Sequence, residues 1–266
     1  MIYKYQYEES NARGYSGIIC NKQETTTILQ NDVKNRLIDK PQRESMLNIL
    51  ETLQQDTGFE KSETLLQDIQ TLQNENVDVQ NFRIGEAFAE VVLKKHFRCR
   101  FYWNELRDAR NPKGNKTGAD LVGFVEIDNA VLFLFGEVKT SSEKKSPPQV
   151  MTNAEGIENQ LKDLYNNSEK RRILISYIQN KISLLGNMNF QNDFNLAVKN
   201  YYQQHGGTYV LYGVLVRDTD PEKNDLAESY NKLKTEILEP TGLKLLAIYL
   251  PIPKEKWLTI INEANI

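Results

Sequence analysis

Asp120, Glu137 and Lys139 stand at the ends of two apolar runs, and their types suit a divalent-metal site with a lysine beside it. The run Val131-Leu132-Phe133-Leu134-Phe135 has the character of a buried strand: short, β-branched and aromatic, and bounded by turn residues. Charge at the end of such a strand costs free energy unless something compensates it. Strand side chains alternate, so Glu137 and Lys139 share a face and Val138 points the other way. Asp120 opens the preceding run, Leu121 to Ile127. A hairpin through Asp128-Asn129-Ala130 brings the start of that run beside the end of the next. Magnesium prefers carboxylate, carbonyl and water oxygens. Asp120 and Glu137 supply two, and the Val138 carbonyl can supply a third, so Mg²⁺ or Mn²⁺ is the expected cofactor. Such an ion polarises a phosphoryl group and lowers the pKa of bound water. Lys139 can orient that water, offset charge at phosphorus or, with a depressed pKa, take the proton.

A fourth group lies upstream, in Phe82-Arg83-Ile84-Gly85-Glu86-Ala87-Phe88-Ala89-Glu90-Val91-Val92-Leu93. Phe88, Val91 and Val92 recur at helical spacing and Ala89 allows close packing. Glu86 inside this mostly apolar helix needs a partner, and a metal or Lys139 would serve. Each feature has an ordinary alternative: a lone Glu-x-Lys on a strand is usually a solvated pair, and a lone helical Glu usually faces water. The abrupt change from apolar run to charge at Gly136, and the order of all four groups, favour a site.

A helical Glu, an Asp at a strand start and Glu-Val-Lys at the end of the next strand resemble the PD-(D/E)xK nuclease superfamily. Ala119 stands where that pattern has proline. In these terms Glu86 matches the helix acid, Asp120 the motif aspartate, and Glu137 with Lys139 the E-x-K pair, over about residues 82 to 175. A narrower likeness is carried by Arg83-Ile84-Gly85-Glu86-Ala87-Phe88-Ala89-Glu90, by Thr117-Gly118-Ala119-Asp120-Leu121-Val122-Gly123-Phe124 and by Gly136-Glu137-Val138-Lys139-Thr140-Ser141-Ser142. These stretches are similar to the HamA family, the nuclease subunits of the Hachiman antiphage system, to which the anti-phage protein AbpA is related. The resemblance implies a restriction-endonuclease-like fold and a metal-dependent deoxyribonuclease catalysed by Glu86, Asp120, Glu137 and Lys139. It also implies an antiphage role beside a separate helicase, HamB in Hachiman. The alternatives are a non-cleaving nucleic-acid-binding or assembly subunit, and a stand-alone repair or restriction nuclease.

The elements that must position these groups follow from periodicity. Short strands are expected at Ile2 to Tyr7 and Tyr15 to Cys20. A Leu-rich helical stretch follows from Asp32 to about Leu72, broken at Thr57-Gly58. Residues 1 to 80 are expected to form a mostly helical accessory region and residues 81 to 266 the nuclease domain. That domain begins with a helix at 82 to 96 and strands at Phe97 to Trp103, Asp120 to Ile127 and Ala130 to Lys139. A helix at Thr152 to Leu164 follows. Ile173 to Ile178 suits strand or helix, and Leu184 to Lys199 suits helix. A strand at Thr208 to Val216, a helix at Asp225 to Leu238 ended by Pro240, and a strand at Leu243 to Leu250 complete it. The alternation indicates an α/β (α+β) fold, a mixed central sheet flanked by helices.

At 266 residues with a formal net charge of −3, the chain lacks the bulk positive charge of a nonspecific nucleic-acid binder. A nuclease with this balance needs local basic groups or a partner that holds DNA. Arg110, Lys113 and Lys116 lie in the loop entering Asp120, and Lys144 and Lys145 follow the E-x-K strand; all five are candidates for phosphate contact. Gln160 sits where some superfamily members place a polar active-site residue, and Lys170-Arg171-Arg172 has the character of surface charge. His96 and Cys99 lack two further zinc ligands. There is no phosphate-binding Gly-x-x-x-x-Gly-Lys-[Ser/Thr] loop and no Gly-x-Ser-x-Gly elbow, so an ATP site and a triad hydrolase are disfavoured. Two cysteines, no apolar signal-peptide core at Met1 to Tyr7 and no bilayer-length apolar run lead to the expectation of a cytoplasmic protein without a membrane.

Overall fold

The computed structural model describes residues 1–57, 62–108, 118–203 and 208–263, the side chains of 53–57 excepted. Its strands are β1 (Ile2–Ser10), β2 (Arg13–Ile19), β3 (Cys99–Arg100), β4 (Leu121–Ile127), β5 (Ala130–Ser141), β6 (Val210–Arg217) and β7 (Gly242–Tyr249). They form one sheet in the order β1-β2-β7-β6-β5-β4-β3. The inner pairs β2/β7, β7/β6 and β6/β5 are parallel, and the outer pairs are antiparallel. The helices are α1 (Lys22–Ile28), α2 (Lys34–Leu37), α3 (Lys40–Thr57), α4 (Glu63–Gln73), α5 (Asn81–His96), α6 (Gln149–Thr152), α7 (Ile157–Asn166), α8 (Ser168–Leu185), α9 (Met188–Gln203), α10 (Asn224–Glu236) and α11 (Trp257–Glu263). The expected α/β class is therefore the observed one.

Both sheet faces are covered, as the near-continuous apolar runs of β5, β6 and β7 require. On one face Ile84, Phe88 and Val92 of α5 and Trp257 and Ile261 of α11 pack on Leu134, Val138, Val214 and Ile248. On the other, Ile157 and Leu161 of α7, Leu174 of α8, Phe194 of α9 and Leu226 of α10 pack on Phe133, Phe135, Leu211 and Leu215. The segment before residue 81 is mostly helical, yet β1 and β2 are built into the sheet and Ile28, Leu29 and Val33 join the first apolar layer. β1, β2 and these three residues belong to the sheet and its first apolar layer.

The β4–β5 hairpin forms as expected. Asp128 and Asn129 both take positive φ, 51° and 62°, the backbone that a two-residue hairpin turn needs and that Asp and Asn tolerate. Two expected elements differ, and the open choice between strand and helix at 173 to 178 is decided. The strand expected at 97 to 103 pairs only at Cys99 and Arg100, after Arg98 enters the left-handed region at φ 52°. The helix expected from Thr152 begins at Ile157, after a turn closed by Gly156 N donating to Asn153 O at 2.9 Å. Ile173 to Ile178 lies inside α8, whose start is capped by the Asn167 side chain accepting from Lys170 N. No helix among the described residues is long and apolar enough to cross a membrane.

Candidate active site

The site begins where β4 ends and β5 does not. Leu121 pairs with Gly136, but β5 runs on to Ser141 with β6 as its neighbour. The Val138 amide, past the end of β4, donates to Asp120 Oδ2 at 2.9 Å. The N–H and C=O of one strand residue point to the same side. The Val138 carbonyl therefore faces the same gap as the Asp120 carboxylate. Gly136 is what lets this corner form: a Cβ there would run into the Tyr212 carbonyl oxygen.

On the opposite face from Val138, Lys139 Nζ lies 2.7 Å from Glu137 Oε1. The Glu137 side chain is 8% exposed and that of Lys139 26%. Burial pushes the Glu137 carboxyl above the ordinary glutamate value, the Lys139 hydrogen bond and charge pull it back, and the charge of Glu86 adds to the rise. A close ion pair alone would lower this pKa. The net direction is upward because the carboxylate is nearly enclosed while its ammonium partner reaches water.

Glu86 arrives on α5. Gly85 lets that helix close on β5, since a Cβ there would strike the Thr140 hydroxyl. The expected partner of Glu86 was a metal or Lys139. Among the described residues it pairs with Arg83 Nη1 at 2.9 Å, one helical turn back on the same face. Lys139 is engaged by Glu137 instead. Glu86 and Asp120 line one cavity with Arg36, Glu90 and Asn104, and Arg36 pairs with Glu90 at 2.6 Å. Glu86, Asp120, Glu137 and Lys139 are thus brought to one corner of the sheet.

Arg110, Lys113 and Lys116 lie outside the described residues. Lys144 and Lys145 are exposed on the segment that leaves β5. That segment is tied down from below: Arg217 Nη2 donates to the Glu143 and Lys145 carbonyls, and Ser146 Oγ donates to Asp225 Oδ1 at 2.7 Å. Gln160 donates to Glu155 Oε2 at 3.1 Å on the surface. The basic run at 170 to 172 is not uniformly surface charge. Arg171 is buried, donates to the Leu164 and Tyr165 carbonyls at the end of α7 and lies over the Tyr209 ring. It was hidden because only tertiary packing separates it from its neighbours. Arg217 carried a signal, for it follows an apolar strand as abruptly as Glu137 does.

The donors gathered here are all oxygen: the Asp120 and Glu137 carboxylates and the Val138 carbonyl. Among the described residues no three or more His, Cys, Asp or Glu side chains converge into a ready cage. Magnesium commonly takes one or two carboxylates and fills its shell with water and substrate phosphate. An enclosed carboxylate with a raised pKa, beside a second acid, also favours a cation. The residues present fit a hard divalent ion shared with substrate. They do not fit zinc: Cys99 is buried, its thiol pushed far up by burial, and His96 is exposed.

No curated protein matches the chain significantly. The HamA family profile matches residues 22–258 of the 266, from the start of α1 into α11, and takes in every candidate site residue. With the greater part of its length matched, the chain belongs to the HamA family.

Proposed function

We propose that this protein is a Mg²⁺- or Mn²⁺-dependent deoxyribonuclease of restriction-endonuclease-like fold, the effector of a Hachiman-type antiphage system that works with a HamB-like helicase. Family membership supports the defence role. The observation that carries the nuclease reading is the Val138 amide bond to Asp120, which sets that carboxylate beside the Glu137–Lys139 pair where β4 gives way. Asp120, Glu137 and the Val138 carbonyl would hold the ion, which supplies Lewis-acid activation of phosphate and water. Lys139, fixed by Glu137, orients the attacking water and meets negative charge on the phosphoryl oxygens. Water oxygen bonds to phosphorus, the P–O3′ bond breaks, the 3′-oxygen gains a proton from solvent and the water proton is lost to solvent. Glu86, paired with Arg83, tunes the charge felt at Glu137. Lys144 and Lys145, exposed on a fixed segment, meet backbone phosphates.

Plasmid cleavage with Mg²⁺ or Mn²⁺ tests this, alone and with the neighbouring helicase. Wild-type cutting that is lost in Glu137→Ala and in Lys139→Ala, both still folded, is the expected result. Cutting retained in a clean preparation of either variant would remove the site. A folded wild type that binds DNA but never cuts would favour the non-cleaving subunit.

A further inference from the structure

We propose that Lys170 of α8 is a second basic residue of the active site, one that contacts a phosphate of the bound strand, and that Asp163 of α7 masks it until DNA takes its place. This rests on the nuclease reading above and extends it to a residue on the helical layer.

Position is the first argument. Leu174 lies one turn beyond Lys170 on the same face of α8. Its Cδ2 would be 3.3 Å from a methyl placed on Gly118, two residues before Asp120. The start of α8 therefore sits over the strand entry that carries Asp120.

State is the second argument. Lys170 Nζ lies 2.8 Å from Asp163 Oδ2; its side chain is 20% exposed and that of Asp163 50%. A partly enclosed ammonium held by a half-exposed carboxylate can exchange that partner for a phosphate at little cost, because surface pairs of this kind contribute little. The neighbouring Arg172 differs. It is 68% exposed, pairs with Glu169 on its own helix, and lies two residues along on another face.

The test measures binding of a labelled DNA duplex across a salt series in Ca²⁺, with cleavage in Mg²⁺ followed separately. Lys170→Ala should weaken binding several-fold and lower the slope of log affinity against log salt by about 0.9, the share of one phosphate contact. Asp163→Asn should tighten binding. Arg172→Ala and Glu169→Gln, which make the same charge changes next door, should move affinity much less. A purely structural pair would weaken binding in both Lys170→Ala and Asp163→Asn or in neither, and would leave the slope alone. Equal effects from Lys170→Ala and Arg172→Ala overturn the proposal, as does a wild type that does not bind DNA. A wild type that binds with this pattern but never cuts would overturn the nuclease reading and leave a Lys170 phosphate contact standing.

Discussion

Two neighbouring strand ends bury opposite charges and do opposite things with them. Ser141 at the end of β5 is in register with Arg217 at the end of β6. Arg217 and Asp225, 1% and 0% exposed, form an ion pair. Arg217 also donates to two carbonyls, and Asp225 accepts from Ser146 Oγ and from Tyr249 OH, each at 2.7 Å. One strand over, Glu137 has Lys139 within 2.7 Å but also feels the charge of Glu86, and its proton affinity is raised. The first cluster pairs both of its charges within the protein, with only Arg217 Nε of its buried polar atoms left without a hydrogen-bond partner among the described residues, and holds a loop. The second leaves a carboxylate that would be better off with another cation. Buried charge therefore marks a candidate site here only where compensation is incomplete.

The largest effect that would break this contrast is on stability. Asp225→Ala strands the Arg217 guanidinium in the interior and should cost about 3–5 kcal/mol. Urea denaturation measures it; a loss within about 1 kcal/mol, the range of exposed pairs, would mean that the Arg217 cluster is no better satisfied than its neighbour. Next comes Gly136→Ala, which drives a methyl into the Tyr212 carbonyl and should cost about 1–3 kcal/mol by overpacking. It should also reduce cleavage, since Gly136 sets the approach of β5 and β6 just before Glu137. Unchanged stability would show that the strand spacing at this corner is not fixed by Gly136.

The contrast also explains what was legible in the amino-acid order. Apolar runs ending abruptly in charge exposed the strands and the Glu137–Lys139 corner, because a buried strand end has few ways to carry charge. The hairpin was legible through Asp128 and Asn129, whose side chains tolerate the backbone that the turn needs. Ile173 to Ile178 was ambiguous because an apolar run alone fits either period; the Asn167 cap and the buried Arg171 decide for helix. The Asp120 bond to the Val138 amide, the closeness of Lys170 and the Asp225 partner of Arg217 depend on contacts across many residues, which local patterns do not encode. Glu86 is an intermediate case: its depth in α5 was visible, but its pairing with Arg83 three residues back competed with more distant partners.

The smallest effect is the sharpest, because its sign alone separates the two clusters. Glu137→Gln keeps the shape and an acceptor for Lys139 while removing the charge. A carboxyl whose folded pKa is raised holds its proton more tightly in the folded state than in the unfolded chain. Its contribution to stability is full below the ordinary glutamate value of about 4.3, and is lost as pH rises through the raised folded value. Above that value wild type carries an ionised, enclosed carboxylate that Gln lacks. The variant should therefore melt higher than wild type at neutral pH, by about 2–4 °C for each kcal/mol relieved, and the gain should vanish as pH approaches 4. Added Mg²⁺ should raise the wild-type midpoint at neutral pH, since a ligand that binds only the folded state stabilises it, and should do less for the variant. A variant that melts lower than wild type at neutral pH would mean that Lys139 compensates Glu137 as fully as Arg217 compensates Asp225, and the distinction between a structural and a poised charge cluster would fail at this corner.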